Sequence, residues 1–352
     1  MSSHMQINFF AETKRLDRLS KMGDPLEKMA KYIDFEIFRL PLVTILELDK
    51  KIRSNGGRPP MDCVLMWKMV LLQQWYGISN DSLEYQINDR LSFQRFLGLG
   101  LSDKVPDANT LWDFKEALAV NGGDRKLFDM FEKMMEEIGV ITRSGSLVDA
   151  SFVDAPRQRN SRDDNKKIKE GEIPEEWTED TPEAIHKLSQ KDTDARWTKK
   201  NNETHYGYKD HVKVDKDSKM IVGFSVTDAS VHDSQEIVGL IDENDEVVYA
   251  DSAYIGDDFE AAMRAINEAL EFKIIRKGFR NNPLSEEVKL ENKEKSRVRV
   301  RVEHVFGHMT IAMGGMFIRT IGITRAKAEI ARKNLAYNLQ RYVFLASRPK
   351  PA

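Results

Sequence analysis

Three acidic residues on three separate segments are the first candidates for chemistry in this sequence. Asp149 lies within SLVDASFV, Asp251 follows VVYA, and Glu303 lies in RVRVEHVFG. Carboxylates on separate elements can together hold two Mg²⁺ ions about 4 Å apart, which activate water or a 3′-hydroxyl and stabilise the leaving oxygen. The sequence therefore allows a two-metal site for phosphoryl transfer. A plainer interpretation stays open, because an Asp at a strand end is often only a turn former.

The segment around Glu303 is typical of a helix with two distinct stripes. One stripe is apolar, at spacings of four, three and four residues, and consists of Val298, Val302, Val305 and Met309. The other carries basic groups and consists of Arg297, Arg301, His304 and His308. Arg299 lies on the flank, four residues before Glu303. This places a carboxylate beside cations that could neutralise an approaching phosphodiester. The alternative is that Arg299 and Glu303 form only an i to i+4 surface ion pair, worth about 0.3–0.5 kcal/mol.

The pattern after residue 145 predicts the elements that must position these side chains. Short β-branched or alternating runs predict strands at 146–155, 204–214, 220–227, 246–250 and 272–275. Helices are predicted near 234–241, at 257–270, from 285 to about 309, and at 324–345. The order β β β α β α β α predicts an α/β fold, a mixed sheet with helices on its faces. Residues 157–203 are polar, so we expect a surface insertion, partly disordered.

The chain before this sheet predicts a separate helical region. Residues 61–76, MDCVLMWKMVLLQQWY, have apolar side chains at helical spacing. Asp81 with Glu84 forms a plausible capping box for the next helix. We therefore expect an all-α domain at 1–140 and an α/β domain at 141–345. Several short helices joined by tight turns can bind DNA or can simply pack, and the pattern leaves both open.

The distribution of charge points to a polyanionic partner. The net charge is −3, yet residues 272–348 carry 17 Lys plus Arg against 6 Glu and no Asp. A basic stretch on an acidic whole is expected if one face meets nucleic acid. A solvated basic helix surface is the alternative that charge alone favours.

Composition excludes other classes of protein. No apolar run approaches the roughly 20 residues that span a bilayer, and the N-terminus lacks the order of a secretory signal. The single cysteine, Cys63, cannot form an internal disulfide or support a Cys-based zinc cluster. We therefore expect a cytoplasmic protein with no membrane partner and no structural zinc.

Several ordered stretches together resemble one known family. They are GGRPPMDCVLMWKMVLLQQWYGISNDSLEYQINDRLSFQRFLGL with PDANTLWDF, then SLVDASFVDAP, DARWTKKNNETHYGYKDHV, TDASVHDS, VVYADSAYIG and RVRVEHVFG. The first two are similar to the N-terminal helical transposase domain, and the others to successive parts of the catalytic core, of the DDE transposases of bacterial insertion sequences. The resemblance covers residues 58–341 and implies a ribonuclease-H-like fold.

The resemblance implies roles for individual residues. Asp149, Asp251 and Glu303 correspond to the catalytic triad, which binds two Mg²⁺ ions, with Mn²⁺ able to substitute. Arg299 corresponds to a residue that helps hold the terminal phosphate. Family members often carry a Tyr seven residues before the Glu and a Lys or Arg seven after it. The residues at those positions here are Ser296 and Thr310.

Further DNA contacts are expected outside the triad. They are assigned to the basic stripe Arg297, Arg301, His304 and His308, and to Lys209. Trp197 could stack on an unpaired or flipped base, although a packed Trp that anchors the insertion is the plainer interpretation. His232 and Asp233 could support the metal site from behind, although Asp233 could equally cap a helix.

The resemblance implies a function and two alternatives. It implies a Mg²⁺-dependent transposase, associated with the nucleoid, that cuts the terminal inverted repeats of its element and joins the 3′-hydroxyl ends to target DNA. It also implies a homodimer when two ends are synapsed. A transposase-derived protein that binds DNA without cutting it, and a nuclease without a joining step, are the alternatives.

Overall fold

The structure, a computed structural model, describes residues 11–49, 60–200, 202–254, 257–278 and 283–348. The chain divides into two compact units, one made of residues up to 121 with those from 342 onward, and the other of residues 122–341. Within the described residues, the first unit is helical and all strands belong to the second. None of the described helices is long and apolar enough to cross a membrane.

The first unit is built around one apolar helix. Its helices are α1 Ala11–Lys21, α2 Pro25–Tyr32, α3 Arg39–Ile45, α4 Cys63–Tyr76, α5 Asn80–Asp89, α6 Leu91–Leu97 and α7 Ala108–Val120, with a 3₁₀ turn at Phe35–Phe38. Helix α4 is buried on almost every side, and Trp67 packs on Phe38 with 5.8 Å between ring centroids. The Asp62 side chain accepts N–H groups of the first turn and so starts the helix. Cys63 is buried, as expected of a core residue.

The capping of α5 differs from the prediction. The Ser79 hydroxyl, not Asp81, accepts the Ser82 N–H at 3.2 Å. Glu84 accepts the Ala108 N–H at 2.7 Å and thereby satisfies a donor at the start of α7. The predicted capping box of Asp81 with Glu84 is therefore wrong. Ser79 and Asp81 both have good capping side chains, and only the backbone entry into the helix decides between them.

The second unit contains a six-stranded mixed sheet. Its strands are β1 Ser146–Asp154, β2 Arg196–Lys200, β3 Glu203–Asp215, β4 Ile221–Asp228, β5 Val247–Ala250 and β6 Glu271–Ile274. The order is β2-β3-β1-β5-β6, and β4 also pairs with β3. Strand β3 is antiparallel to β1, β2 and β4, whereas β5 is parallel to both β1 and β6. The carboxyl ends of β1, β5 and β6 therefore point the same way.

Helices complete the second unit. They are α8 Gly123–Glu137, α9 Arg162–Lys169, α10 Pro182–Ser189, α11 Ile237–Leu240, α12 Asp257–Ile266, α13 Glu286–Ala312 and α14 Ile323–Ala346, with 3₁₀ turns at Glu175–Trp177, Asp233–Gln235 and Ser252–Tyr254. The last residues of α14, from 342 onward, belong to the first unit. All five predicted strands are present within one residue at each end. The predicted mixed α/β fold with an N-terminal helical region is confirmed.

The predicted insertion has more structure than the sequence indicated. It contains α9, α10 and the additional strand β2, and Trp177 is buried within it. The Asp192 carboxylate accepts the Tyr208 hydroxyl of β3 at 2.8 Å. The Asp194 carboxylate accepts the backbone N–H of Ile323 at 2.8 Å, at the start of α14. The expectation of partial disorder is wrong for these residues, because buried polar groups and one large aromatic residue tie them to the sheet.

Strand β3 carries three basic side chains that alternate along one face. They are Lys209, His211 and Lys213, and each is at most 7% exposed. Lys213 pairs with Asp242 at 2.6 Å and with Asp245 at 2.9 Å. Burial of the two lysines is acceptable because segments that follow β4 supply their acidic partners, whereas Nε2 of His211 lies 2.9 Å from the Thr227 hydroxyl on β4.

Candidate active site

Strand pairing brings Asp149 and Asp251 to the same level of the sheet. The parallel pair β1–β5 aligns Ser146 with Val248 and Leu147 with Tyr249, both 102 residues apart. Asp149 and Asp251 are separated by the same 102 residues. Asp149 lies within β1, and Asp251 is the first residue after β5. The two carboxylates therefore leave neighbouring parallel strands side by side, at the edge where α/β sheets commonly bind ligands.

Helix α13 brings Glu303 to this edge. The helix lies against β1 and β5. Val302, Val305 and Met309 of the predicted apolar stripe are fully buried, and Val298, nearer the start of the helix, is half-buried. Because Glu303 lies on the flank of the buried stripe, its side chain stays 51% exposed.

A single guanidinium connects two of the three carboxylates. Nη1 of Arg299 donates to Oδ2 of Asp149 at 2.8 Å, and Nη2 donates to Oε1 of Glu303 at 2.5 Å. The i to i+4 pair on α13 is therefore not merely a surface ion pair, since it extends to a carboxylate on the central strand. Arg299 is 20% exposed and Asp149 is 22% exposed, so the bridge is partly shielded from solvent.

Burial dominates the electrostatics of Asp149. It raises the pKa of the carboxyl above its usual range, and the negative charge of Asp251 adds to this rise. The Ala150 N–H, which donates to Oδ1 at 2.8 Å, and the charge of Arg299 both act in the opposite direction. Two neighbouring carboxylates in a half-buried site favour a bound cation, because a cation relieves their mutual repulsion.

A second charged cluster lies nearby, with members on β2, β3 and the turn after β4. Asp233 accepts from Lys209 at 2.8 Å and from Lys200 at 3.3 Å. Burial opposes ionisation of Asp233, but the hydrogen bond of Lys209 and the charges of both lysines keep its pKa below the usual range. His211 beside this cluster is buried, which lowers its pKa to about 4, so the ring is neutral at pH 7.

This cluster corrects two sequence interpretations. Lys209 is 7% exposed and donates to Asp233 and to the Val231 carbonyl, so its ammonium group is not presented to DNA. The side chain of His232, rather than Asp233, caps the 3₁₀ turn by accepting the Ser234 N–H. Asp233 instead neutralises the charge of the buried Lys209. Lysine is seldom buried, so the sequence predicted exposure for Lys209.

The basic stripe of α13 divides into exposed and engaged members. Arg297 and His304 are exposed. Nη1 of Arg301 donates to the Lys216 carbonyl at 2.8 Å, in the turn after β3. Nε2 of His308 lies 2.7 Å from Oε1 of Gln340 on α14. Arg297 and His304 are thus available to a ligand, whereas the other two members have contacts that hold α13 to its neighbours.

Trp197 lies on the edge strand β2 with its ring partly open to solvent. The residue is 39% exposed, and its ring packs against Tyr206 with 4.8 Å between centroids. The Arg157 guanidinium lies 5.8 Å from the same ring. The residue is therefore partly packed and partly accessible. Both interpretations of Trp197, an anchor for the insertion and a stacking partner for a base, remain compatible with this placement.

Sequence reasoning missed Tyr254, which shares a buried cluster with Val148 and Ala250, the residues immediately before Asp149 and Asp251. The side chain is 1% exposed, and its hydroxyl has no hydrogen-bond partner among the residues that the structure describes. The only sequence signal was an aromatic residue three positions after Asp251. That signal is weak, because a tyrosine near an aspartate in the sequence is commonly buried for packing, with its hydroxyl bonded to some other group.

The donor set fits a hard divalent cation, although the side chains are not gathered around one point. In the part of the chain that the structure describes, no three His, Cys, Asp or Glu side chains are close enough to hold a metal ion. The guanidinium of Arg299 lies between Asp149 and Glu303 and balances their charge. Oxygen ligands are the kind that Mg²⁺ and Mn²⁺ prefer.

Two known sequence families match the chain. The family described as a transposase domain, DUF772, matches residues 14–117. The family described as a transposase DDE domain matches residues 141–339, more than half of the chain. No solved structure gives a significant match. The first match covers most of the helical N-terminal region, and the second contains every residue of the candidate site.

Proposed function

The chain belongs to the DDE transposase family, and from this membership we propose that it cuts DNA at the terminal inverted repeats of its own element and joins the freed 3′-hydroxyl ends to target DNA. The family consists of polynucleotidyl transferases and endonucleases that act on DNA and generally use divalent metal ions. We assign the role of metal ligands to Asp149, Asp251 and Glu303, and Mg²⁺ to the site, with Mn²⁺ as a substitute.

The contact of Arg299 with both Asp149 and Glu303 is the observation that carries the proposal. It links the central strand to the helix that supplies the third carboxylate, at 2.8 Å and 2.5 Å. The parallel register supplies Asp251 as the neighbour of Asp149. A residue set scattered over the sequence is therefore joined at one edge of the sheet, as a phosphoryl-transfer site requires.

The carboxylates and the basic residues of the site have different roles in the proposed reaction. The carboxylates would hold two divalent ions, which when bound supply activation of the attacking oxygen and stabilisation of the leaving one. Arg299 can form a two-pronged pair with a phosphate once it releases Asp149 and Glu303, because its planar guanidinium matches phosphate geometry. Lys200, 52% exposed and paired with Asp233, is a second cation whose charge acts on Asp149. These cations would offset the repulsion between the carboxylates and the phosphodiester.

We assign DNA-end recognition to the helical N-terminal region, residues 1–140, and catalysis to residues 141–345. The support is the match of residues 14–117 to a transposase domain and the accumulation of Lys and Arg after residue 272. We further propose a homodimer on paired DNA ends, since joining two ends to one target requires two catalytic sites. The mass of the protein in complex with end duplex, measured by light scattering, tests the dimer.

Cleavage of an end-containing duplex with Mg²⁺ or Mn²⁺ tests the enzymatic proposal. Asp149→Asn, Asp251→Asn and Glu303→Gln should each abolish cleavage while DNA binding persists. Glu294→Gln is a matched control, because Glu294 is an exposed acid on the same helix. Binding of the ends without strand breakage by the unaltered protein, over a range of metals, would instead support a transposase-derived DNA-binding protein. Cut ends that never appear in strand-transfer products would support a nuclease.

A further inference from the structure

Tyr254 is fixed by the backbone that carries Asp251. It is the last residue of the 3₁₀ turn Ser252–Tyr254, and its N–H donates to the Asp251 carbonyl at 3.3 Å. Its ring belongs to a buried apolar cluster that includes Val148 and Ala250. These two residues immediately precede Asp149 and Asp251. The ring therefore belongs to the same buried cluster as the residues of β1 and β5 that come immediately before the two carboxylates.

The environment of the Tyr254 hydroxyl is polar, although the ring is in an apolar cluster. The turn that contains Tyr254 lies against the 3₁₀ turn Asp233–Gln235. Burial raises the pKa of the hydroxyl most, and the negative charges of Asp149, Asp233 and Asp251 raise it further, in that order. The hydroxyl thus stays protonated, and the charges of three carboxylates act on it. It is a hydrogen-bond donor in a place that is rich in acceptors.

The hydroxyl nevertheless makes no hydrogen bond with any described residue. A buried polar group without a partner is unfavourable, and Phe would fill the same apolar space without this penalty. Another buried tyrosine of the same unit behaves differently, since Tyr208 donates to the Asp192 carboxylate at 2.8 Å. The orphaned donor of Tyr254 therefore indicates a partner that forms in another state of the site.

Asp149 is the acceptor best placed to change. Its Oδ2 is held by Arg299 and its Oδ1 by the Ala150 N–H. A carboxylate has about four lone-pair positions, so each oxygen can accept one more hydrogen bond. If Arg299 left Asp149 for a phosphate and a cation bound the carboxylate instead, other donors would have to hold the carboxylate in one orientation.

We propose that Tyr254 is a positioning residue whose hydroxyl donates to the Asp149 carboxylate when that carboxylate binds a divalent cation. The inference rests on the proposed function, because it takes Asp149 to be a metal ligand. Hydrogen bonds to metal-bound carboxylates fix their orientation, and their loss typically weakens metal binding 10- to 100-fold. Tyr254 does not touch the substrate and acts only through Asp149.

Mn²⁺ binding and thermal stability, measured on the same variants without DNA, test this inference. Mn²⁺ is titrated into the protein and the free ion is followed by its EPR signal. Tyr254→Phe should weaken Mn²⁺ binding 10- to 100-fold, while the Tm of the metal-free protein stays the same or rises, since an unsatisfied buried hydroxyl is removed. Tyr208→Phe is the matched control and should lower the Tm with unchanged Mn²⁺ affinity, because a buried hydrogen bond is lost away from the site.

Asp149→Asn separates the possible failures. If Asp149→Asn loses Mn²⁺ binding and Tyr254→Phe binds the ion like the unaltered protein, the role of Tyr254 is overturned and the proposed function stands. If Tyr254→Phe lowers the Tm of the metal-free protein without affecting Mn²⁺, the hydroxyl has a purely structural partner and the inference is again overturned. If Asp149→Asn leaves Mn²⁺ binding intact, the metal assignment and the inference fall together.

Discussion

Nη1 of Arg299 lies 2.8 Å from Oδ2 of Asp149, across the boundary between helix α13 and the central strand. The same guanidinium holds Glu303, so one cation balances two acidic groups to which the proposed function assigns a divalent cation. Under the proposed function, Arg299 and a divalent ion therefore compete for Asp149. Binding of the metal ion and binding of phosphate should therefore be coupled. The metal ion displaces Arg299 from Asp149, and phosphate binds the released Arg299.

Arg299→Gln should affect metal binding and cleavage in opposite directions. Mn²⁺ affinity in the absence of DNA should rise several-fold, because the competing cation is removed. Cleavage of end duplex should fall about 10²- to 10³-fold, the usual loss when one preorganised charge-stabilising donor is removed. EPR titration and a single-turnover cleavage assay measure the two effects. Lys293→Gln, an exposed basic residue earlier on α13, is the control. A fall in both quantities would contradict the competition.

DNA binding should depend steeply on salt, and Arg297 should contribute more than Arg301. Each neutralised phosphate adds about 0.9 to the negative slope of log K against log salt. Arg297→Gln should therefore reduce the slope by about one unit with little change in Tm. Arg301→Gln should mainly lower the Tm, because Arg301 holds the Lys216 carbonyl. Fluorescence anisotropy at several salt concentrations gives the slopes, and equal slope changes for the two variants would refute this division of the stripe.

Asp210 should make stability fall as the pH rises. It is fully buried, and burial raises its pKa to about 7. Asn334 donates to Oδ1 of Asp210 at 3.2 Å. Oδ2 of Asp210 and Oδ1 of Asn334 are both acceptors without a partner among the described residues. A proton on Asp210 would supply the hydrogen-bond donor that these two oxygens lack. Because the folded pKa exceeds the unfolded value of about 3.9, the contribution is complete below pH 4 and is lost as the pH rises through about 7.

The corresponding variant is Asp210→Asn. It should raise the free energy of unfolding at pH 8 by a few kcal/mol, since each pKa unit is worth about 1.4 kcal/mol. The gain should disappear near pH 4. Asp233→Asn should show the opposite sign, because lysines lower the pKa of Asp233, so its contribution is present above pH 4 and is lost in acid. Urea unfolding at pH 8 and near pH 4 measures the effects of both variants. An effect of Asp210→Asn that does not depend on pH would contradict the raised pKa of Asp210.

The buried pair of Arg332 and Asp124 should be costly to break. Nε and Nη2 of Arg332 lie 2.7 Å and 3.0 Å from the two Asp124 oxygens, and both side chains are at most 2% exposed. Arg332→Met should lower the free energy of unfolding by about 3–5 kcal/mol, because it leaves a buried carboxylate without its partner. Adding Asp124→Leu should restore much of this loss. Urea unfolding of both variants checks the pair, and a loss that the second substitution does not reduce would contradict it.

The sequence predicted those elements whose residues repeat a strong pattern. Residues 146–155 and 204–214 carry enough alternation to predict strands within one residue of their true ends. Strand β2, Arg196–Lys200, was missed, because it has only one apolar side chain and pairs with β3 at the sheet edge. Helices α9 and α10 were missed for a similar reason, since each buries only one residue.

The candidate site was predictable as a set of residue types but not as a set of contacts. The four-residue spacing of Arg299 and Glu303 showed that they lie together, whereas the contact with Asp149 joins residues 150 positions apart. No helix or strand period reaches across such a separation. The placement of Tyr254 likewise depends on the packing beneath β1 and β5, which composition does not encode.

The buried basic side chains of β3 have a further consequence for folding. Lys209 and Lys213 face the same side as His211 and meet acidic groups at fixed heights along the strand. Sliding β3 by one residue against its neighbours would turn all three toward the opposite face of the sheet, away from Asp233, Asp242 and Asp245. Misaligned sheets would therefore be penalised by charge as well as by packing. The buried ion pairs therefore favour a single register of β3, the longest strand.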